Sequence, residues 1–365
     1  CDGERDNGTR RRPPKRPRAQ GAKAQREKTA AEPAQSAAAL QNETEDIIFS
    51  CPEVLEEMRR GMCGQASKAR HKQFHMHIVA RLPPRFMRLA LRLLRAVLLL
   101  RMLPEPARPL SLVNIPKDNG EYRPLGLTHD LYAMVTAVVA KYMQKGVEAA
   151  DIILEALCAY RPGRSSTQLV HAHQCAVEDA HHSGRALYAV MDDFSKFYDA
   201  CVVEVILMSM KAAGLSEEGY VEWCAEALHN RRLHIITSRG ITGAVKRLCG
   251  FIQGSSFSCI AVTFVVQVLH QVWLAGDAAD EGYVYAVGAA TLQSLGFCDD
   301  NNRYTQTLPA AVRAVRRFGQ FSVVTGVGRS TKQARVLMYG ELEEESTWST
   351  PDRELCDRHV ETMDN

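Results

Sequence analysis

Apolar periodicity begins late in this chain. Residues 1–40 contain no aromatic residue and no hydrophobic repeat of helical or strand period, so they are expected to be disordered. Residues 45–62 read as one or two short helices around Pro52. The first strong element spans 83–103, where Pro84 opens a helix and Pro104 closes it. Leu89, Leu93, Val97 and Leu100 fall on its apolar face. Arg85, Arg88, Arg92 and Arg95 recur at three- and four-residue steps as a basic stripe, which excludes a membrane span. Residues 112–125 form two short strands around Asp118-Asn119-Gly120, a strong hairpin turn. Helical periods follow over 167–182, 202–214, 217–229 and 308–321, with a strand over 232–237 and a long apolar helix over 259–274.

Two apolar runs end in adjacent acids. Leu187-Tyr188-Ala189-Val190-Met191 leads into Asp192-Asp193 and reads as a buried strand. The β-prone residues 283–287 and 291–292 precede Leu295-Gly296-Phe297-Cys298-Asp299-Asp300-Asn301. That stretch reads as a strand, a tight turn carrying both acids, and a return strand starting near Arg303-Tyr304. A lone Asp-Asp turn is usually just solvated. Strand-end carboxylates from two distant segments are the parts of a two-metal phosphoryl-transfer site. One ion activates an attacking hydroxyl and the other neutralises the leaving oxygen. Hard oxygen ligands suit two Mg2+ ions, with Mn2+ as a substitute.

Charge sharpens the picture. The 365 residues carry a formal net charge of +3, which hides +6 over residues 1–28 and −7 over residues 341–365, leaving a modestly basic body. A basic arm on a basic body suits a polyanionic partner. Within that arm, residues 10–18 read either as a nuclear import or nucleic-acid-binding segment or as a solvated linker. At 46% hydrophobic content the chain can bury a sizeable core. Its eleven cysteines contain no Cys-x-x-Cys pair, the usage of reduced thiols in an intracellular protein, nuclear or cytoplasmic and not secreted. Cys51 and Cys63 lie too far apart to make a zinc site with His71, His75 and His77. Beginning on Cys1, the chain is expected to be a piece of a longer one.

The motif Asp193-Phe194-Ser195-Lys196-Phe197-Tyr198-Asp199-Ala200 resembles the first catalytic motif of reverse transcriptases, and Phe297-Cys298-Asp299-Asp300 resembles their signature hairpin. The match is closest to the non-LTR (LINE-type) retrotransposon branch. The resemblance implies that Asp193, Asp299 and Asp300 hold the metal ions. It implies that Tyr198 is an aromatic gate that leaves no room for a ribose 2′-hydroxyl. Lys117 and Arg123 match the basic residues of a fingers hairpin that cover the incoming triphosphate, as ammonium and guanidinium suit phosphate oxygens. Ala159-Tyr160-Arg161-Pro162-Gly163-Arg164-Ser165-Ser166-Thr167 resembles the family's Gly-Phe-Arg-Pro-Gly-Arg-Ser-Thr segment, making Arg161 and Arg164 candidate template contacts. Gln253 and Gly254 fall in a Gly-x-x-Gln-Gly-x-x-x-Ser motif that approaches the nucleotide. Lys332 matches a lysine that protonates the departing pyrophosphate, against the alternative of a solvated lysine.

The departures are specific. Asp192 replaces an apolar residue and is expected to raise the pKa of Asp193. Phe197 replaces a small residue and is expected to crowd the nucleotide pocket. Ala133 stands for a lysine, Cys259 for a proline and Arg329 for an asparagine. Seven segments nevertheless keep the family's order from Leu112 to Gly340. The resemblance implies an α+β polymerase right-hand fold with fingers and an antiparallel palm sheet over residues 81–340, and a thumb truncated or absent. Residues 1–80 form a basic, largely disordered extension with short helices, and residues 341–365 an acidic tail. The implied activity is RNA-directed DNA polymerisation with an RNA template, a DNA primer and dNTPs, without a membrane. A nicking endonuclease domain is expected elsewhere in a polyprotein. Alternatives are a catalytically inactive nucleic-acid-binding relic, an RNA-dependent RNA polymerase, and a group II intron maturase, which would need a downstream helical domain.

Overall fold

The computed structural model describes residues 60, 78, 81–118, 120–229, 231–246, 249–275, 282–288, 290–330, 335–340 and 360–361. The N-terminal basic arm, all but residue 60 of the helices expected over 45–62, the Cys/His set near residue 70, Lys332 and nearly all of the acidic tail lie outside the described residues.

Helix α1 (Pro84–Leu100) opens on proline as expected and ends at Arg101, whose φ of 47° turns the chain out of the helix. Its packed face differs from the one the spacing predicts. Leu94, Val97 and Leu98 are buried, whereas Leu89, Leu93 and Leu100 are exposed. The packed arc is rotated by about a quarter turn, with the arginine row further round. The hairpin β1 (Pro109–Pro116) and β2 (Tyr122–Thr128) closes with Pro116 opposite Tyr122. Helix α2 (Asp130–Ala149) follows. Helix α3 (Ser166–Ser183) starts in a capping box between Ser165 and Gln168 and stops at Gly184 in the left-handed region, as such caps require.

The chain then enters β3 (Leu187–Ser195), a one-turn helix α4 (Phe197–Ala200), and helices α5 (Val203–Ala212) and α6 (Glu222–Leu228), separated by a π turn over Glu217–Val221. Strand β4 (Arg232–Thr237) pairs parallel to β1 and antiparallel to β5 (Gly240–Ile241) and β6 (Val245–Lys246). Helix α7 (Ser256–Leu274) is long and apolar enough to cross a membrane, but most of it is buried in the core against α2 and α5.

A second sheet carries the acids. Residues 283–292 do not lead into the acidic hairpin; they make their own small ribbon, β7 (Tyr283–Val284) with β8 (Thr291–Leu292). The positive φ at Gly288 turns that ribbon, so its β-prone residues are used up before the acids arrive. The hairpin itself is β9 (Ser294–Phe297) and β10 (Asp300–Thr305), and β10 begins at Asp300, not at Arg303. Helix α8 (Leu308–Thr325), capped by Thr307, leads to β11 (Gly328–Arg329) and β12 (Arg335–Tyr339), with β13 (Val360–Glu361) alongside β12. The order is β13-β12-β3-β10-β9, antiparallel except for the β12–β13 pair, with β11 on β3.

Strand β3 is central, which explains its unbroken apolar run. Leu187 and Ala189 pack with Ala176 and Ala180 of α3. Tyr188, Val190 and Phe194 join the main core, which also holds residues of α7 and α8. Helices thus cover both faces of one mixed α+β sheet. Neighbouring residues on a strand face opposite ways, so Asp192 and Asp193 must part company.

Candidate active site

Asp193 and Asp300 sit directly across from one another in the β3–β10 register, and Asp299 occupies the adjoining turn. Side chains opposed in this way share one face of a sheet. The three carboxylates come from segments more than a hundred residues apart. Asp193 is half-buried, and its carboxyl is pushed up to about 6, first by burial and then by the charges of Asp299 and Asp300. Asp300 is shifted upward too, by desolvation and by Asp299. Like charges thus face one another across the β3–β10 pair.

The acid next door does something else. Asp192 points into the core, and its side chain is 0% exposed. There Arg329 of β11 donates from Nε to Asp192 Oδ1 at 2.5 Å, while its guanidinium lies 5.9 Å from the Phe318 ring centre. Burial raises the Asp192 carboxyl to about 6 against the opposing pull of Arg329. The upward shift of Asp193 comes from its own burial and from Asp299 and Asp300. The expectation that Asp192 raises that pKa is therefore corrected, because its charge is met on the opposite face. The departures at 192 and 329 are two halves of one ion pair.

Phe197 does not crowd a nucleotide pocket either. It is 2% exposed and stacks on Phe194 with ring centres 4.5 Å apart. Tyr198 stays at the edge of the site, its ring edge-on to Phe251 at 5.8 Å and its hydroxyl 3.4 Å from Cys298 Sγ, one residue before Asp299. The backbone of the Gln253 loop hangs from this turn: Phe251 N–H donates to Tyr198 O at 2.5 Å, and Gly250 N–H to Cys201 O at 2.7 Å. Gln253 O in turn accepts from Gly126 N–H of β2 at 3.0 Å. Gly254 has φ +97°, and a Cβ there would stand 3.1 Å from Leu125, so its glycine brings the loop onto β2.

The hairpin is held from beneath by a polar network that the spacing of the motifs did not reveal. His270 of α7 is fully buried and kept neutral, its pKa lowered to about 4 chiefly by burial. Its Nε2 donates to Asn301 Oδ1 at 2.9 Å, and its Nδ1 accepts from the Ser294 hydroxyl at 2.9 Å. Asn301 Nδ2 then donates to the Asp299 carbonyl at 2.8 Å, fixing the turn that carries the acids. Gly296 is required here, since a Cβ would lie 2.8 Å from His270 and 2.7 Å from Leu157.

The donor set is all carboxylate oxygen, the chemistry a hard divalent cation prefers. Among the described residues, no three or more His, Cys, Asp or Glu side chains are gathered into a ready metal cage.

No protein-family model matches the chain, and no curated protein matches it. Among solved structures, apo telomerase from Candida tropicalis, truncated from the C-terminal domain, is similar over 68% of this chain and 53% of its own, with a TM-score of 0.50 and 12% identity. Candida tropicalis telomerase in complex with a TWJ fragment of telomeric RNA aligns over 68% of this chain and 43% of its own, at 0.48 and 13%. The chain spans about half the length of the structures it matches. The likeness is one of fold, to the truncated apo telomerase structure from Candida tropicalis.

The remaining expected residues are distributed as follows. Lys117 lies at the β1–β2 tip, 3.6 Å from Glu121, and Arg123 is exposed on β2. Arg164 is partly exposed and paired with Glu155 at 3.0 Å. Arg161 is a correction. Its guanidinium grips Glu148 through Nε and Nη2, both at 2.7 Å, and its Nη1 donates to the Leu154 and Leu157 carbonyls. All three nitrogens are engaged within the chain and the side chain is 6% exposed, so Arg161 builds the loop and is not free to reach a template. Tyr160, His270 and Asn301 were not singled out from the sequence, since a lone tyrosine or histidine carries no spacing signal.

Proposed function

We propose that this chain is the catalytic core of an RNA-directed DNA polymerase of the non-LTR (LINE-type) retrotransposon kind. The observation that supports it most is Asp193 opposite Asp300 in register, with Asp299 beside them. In this reading the six-stranded sheet is the palm, and β1, β2 and β4 with α2 and α3 belong to the fingers. Asp193, Asp299 and Asp300 would hold magnesium or manganese, and a bound ion there would supply charge to activate a primer 3′-hydroxyl and to balance pyrophosphate. The chain's own groups do the rest. Tyr198 excludes the ribose 2′-hydroxyl, and Lys117 and Arg123 contact the triphosphate. Arg164 and the exposed arginine row of α1 meet template phosphates, each adding salt-sensitive affinity. His270 and Asn301 keep the acid-bearing turn in place. Lys332 remains the candidate general acid. The setting is nuclear or cytoplasmic, beside an endonuclease domain in a longer polyprotein.

The second reading is a nucleic-acid-binding relic, favoured by the lack of a gathered metal cage among the described residues. Two departures that would support it have structural partners: Asp192 is matched by Arg329, and Phe197 is packed in the core. Primer extension with purified chain, RNA template, DNA primer, Mg2+ and dNTPs separates the readings. The polymerase reading predicts incorporation that falls by about 10³-fold or more in Asp299→Ala and in Asp300→Ala, the loss of several kcal/mol of charge stabilisation. Template binding without incorporation by the unaltered chain establishes the relic.

A further inference from the structure

The gate residue Tyr198 is held at both ends. Its ring packs edge-on against Phe197 and Phe251, with centres 6.2 and 5.8 Å away. Its hydroxyl lies 2.8 Å from the Tyr160 hydroxyl, and Cys298 Sγ is 3.4 Å from each of the two oxygens. Three residues from three segments thus close a small triangle: the loop before α3, the turn after β3, and the acid-bearing hairpin. Each phenol hydroxyl can donate one hydrogen bond and accept another, and the thiol is a weaker partner to both.

The loop that presents Tyr160 is fastened to the hairpin. Cys158 N–H donates to Gly296 O at 3.0 Å and Gly296 N–H to Ala156 O at 2.9 Å. Arg161, the next residue after Tyr160, is locked onto Glu148. Gln144 donates to the Tyr160 carbonyl. Tyr160 itself takes φ +59°, a conformation bulky residues rarely adopt, and these anchors hold it there. A hydroxyl delivered by so constrained a loop is a fixed point against which the gate ring can rest.

We propose that Tyr160 is a specificity-determining residue of this site: its hydroxyl pins the hydroxyl end of Tyr198, with Cys298 as the third corner, so that the ring cannot swing aside to admit a ribonucleotide. The proposal rests on the polymerase reading and on Tyr198 as its sugar gate. A ring tethered only by packing retains a rotational escape; one that is also hydrogen-bonded at its far end does not. The position corresponds to a phenylalanine in the segment this loop resembles, so the pin is a property of the added hydroxyl and not of the ring.

The test is the ratio of kcat/KM for a deoxynucleoside triphosphate to that for the matching ribonucleoside triphosphate, in primer extension by the full chain. Tyr160→Phe and Tyr198→Phe each keep their rings and remove one hydroxyl. Each is expected to lower the ratio about fivefold, the effect of one neutral hydrogen bond. The double variant is expected to fall by less than the product of the two single effects, because both remove the Tyr160–Tyr198 contact while each also loses its own contact with Cys298. Tyr198→Ala removes the ring and is expected to lower the ratio more than any of these. Cys298→Ala shifts it in the same direction by less, and supplies the readout should Tyr160→Phe fold poorly.

An unchanged ratio in Tyr160→Phe beside a collapsed one in Tyr198→Ala overturns the pin and leaves the polymerase reading standing. So do effects of the two phenylalanine variants that multiply. A chain that incorporates neither nucleotide overturns the polymerase reading and this proposal with it.

Discussion

Asp193→Asn is expected to abolish templated nucleotide addition, by about 10³-fold or more, and at the same time to raise the melting temperature above pH 7. Both effects come from one carboxylate. Asp193 is half-buried and faces Asp299 and Asp300, which together hold its pKa at about 6. An aspartate in the unfolded chain titrates near pH 3.9. The folded state therefore binds this proton more tightly, so the group's stabilising contribution is complete below about pH 4 and disappears as pH rises through 6. Above pH 7 the charge works against the fold. Its partial contact with solvent keeps the effect near 1 kcal/mol, or about 2–4 °C. Calorimetry of the two proteins at pH 4, 6 and 8 reads it: the curves coincide in acid and separate in base. A variant that melts lower than the parent at pH 8 contradicts the arrangement of acids described above.

The second large effect concerns stability alone. Arg329→Ala leaves Asp192 buried without its partner and is expected to destabilise the fold by about 3–5 kcal/mol. Asp192 Oδ2 has no other hydrogen bond among the described residues, so nothing nearby compensates. Replacing both residues with leucine is expected to restore most of the loss, since a well-packed apolar pair commonly matches a buried ion pair. Denaturant titration of both single variants and the double one gives the coupling energy. Effects that simply add would mean the 2.5 Å contact contributes nothing.

Much of this was legible in the residues. Leu187–Ser195 is a strand because an apolar run without helical spacing, bounded by turns, has little else to become, and Arg232–Thr237 is a strand over the expected residues. The hairpin expected on either side of residues 118–120 is present as β1 and β2, with Pro116 opposite Tyr122. Three features were not legible, each because it depends on contacts across the fold. The packed face of α1 depends on which side meets α2, and leucines at helical spacing occupy more than one side. The run 283–287 is as β-prone as any strand, but Gly288 folds it onto its own ribbon. Asp192 and Arg329 each looked like a defect in its own motif. Only the register that sets β11 against β3 brings their opposite charges together. Arg161 illustrates the same limit: a motif match says which residue type recurs, and a glutamate thirteen residues earlier decides what it binds.

Whether those acids hold a divalent cation together decides between a polymerase and a relic. Mn2+ titration followed by electron paramagnetic resonance measures this directly, with the unaltered chain beside Asp193→Asn and Asp300→Asn. Saturable Mn2+ binding by the parent that weakens at least tenfold in both variants is the predicted result. Binding that is absent from the parent, or unchanged when Asp193 or Asp300 loses its charge, would contradict it.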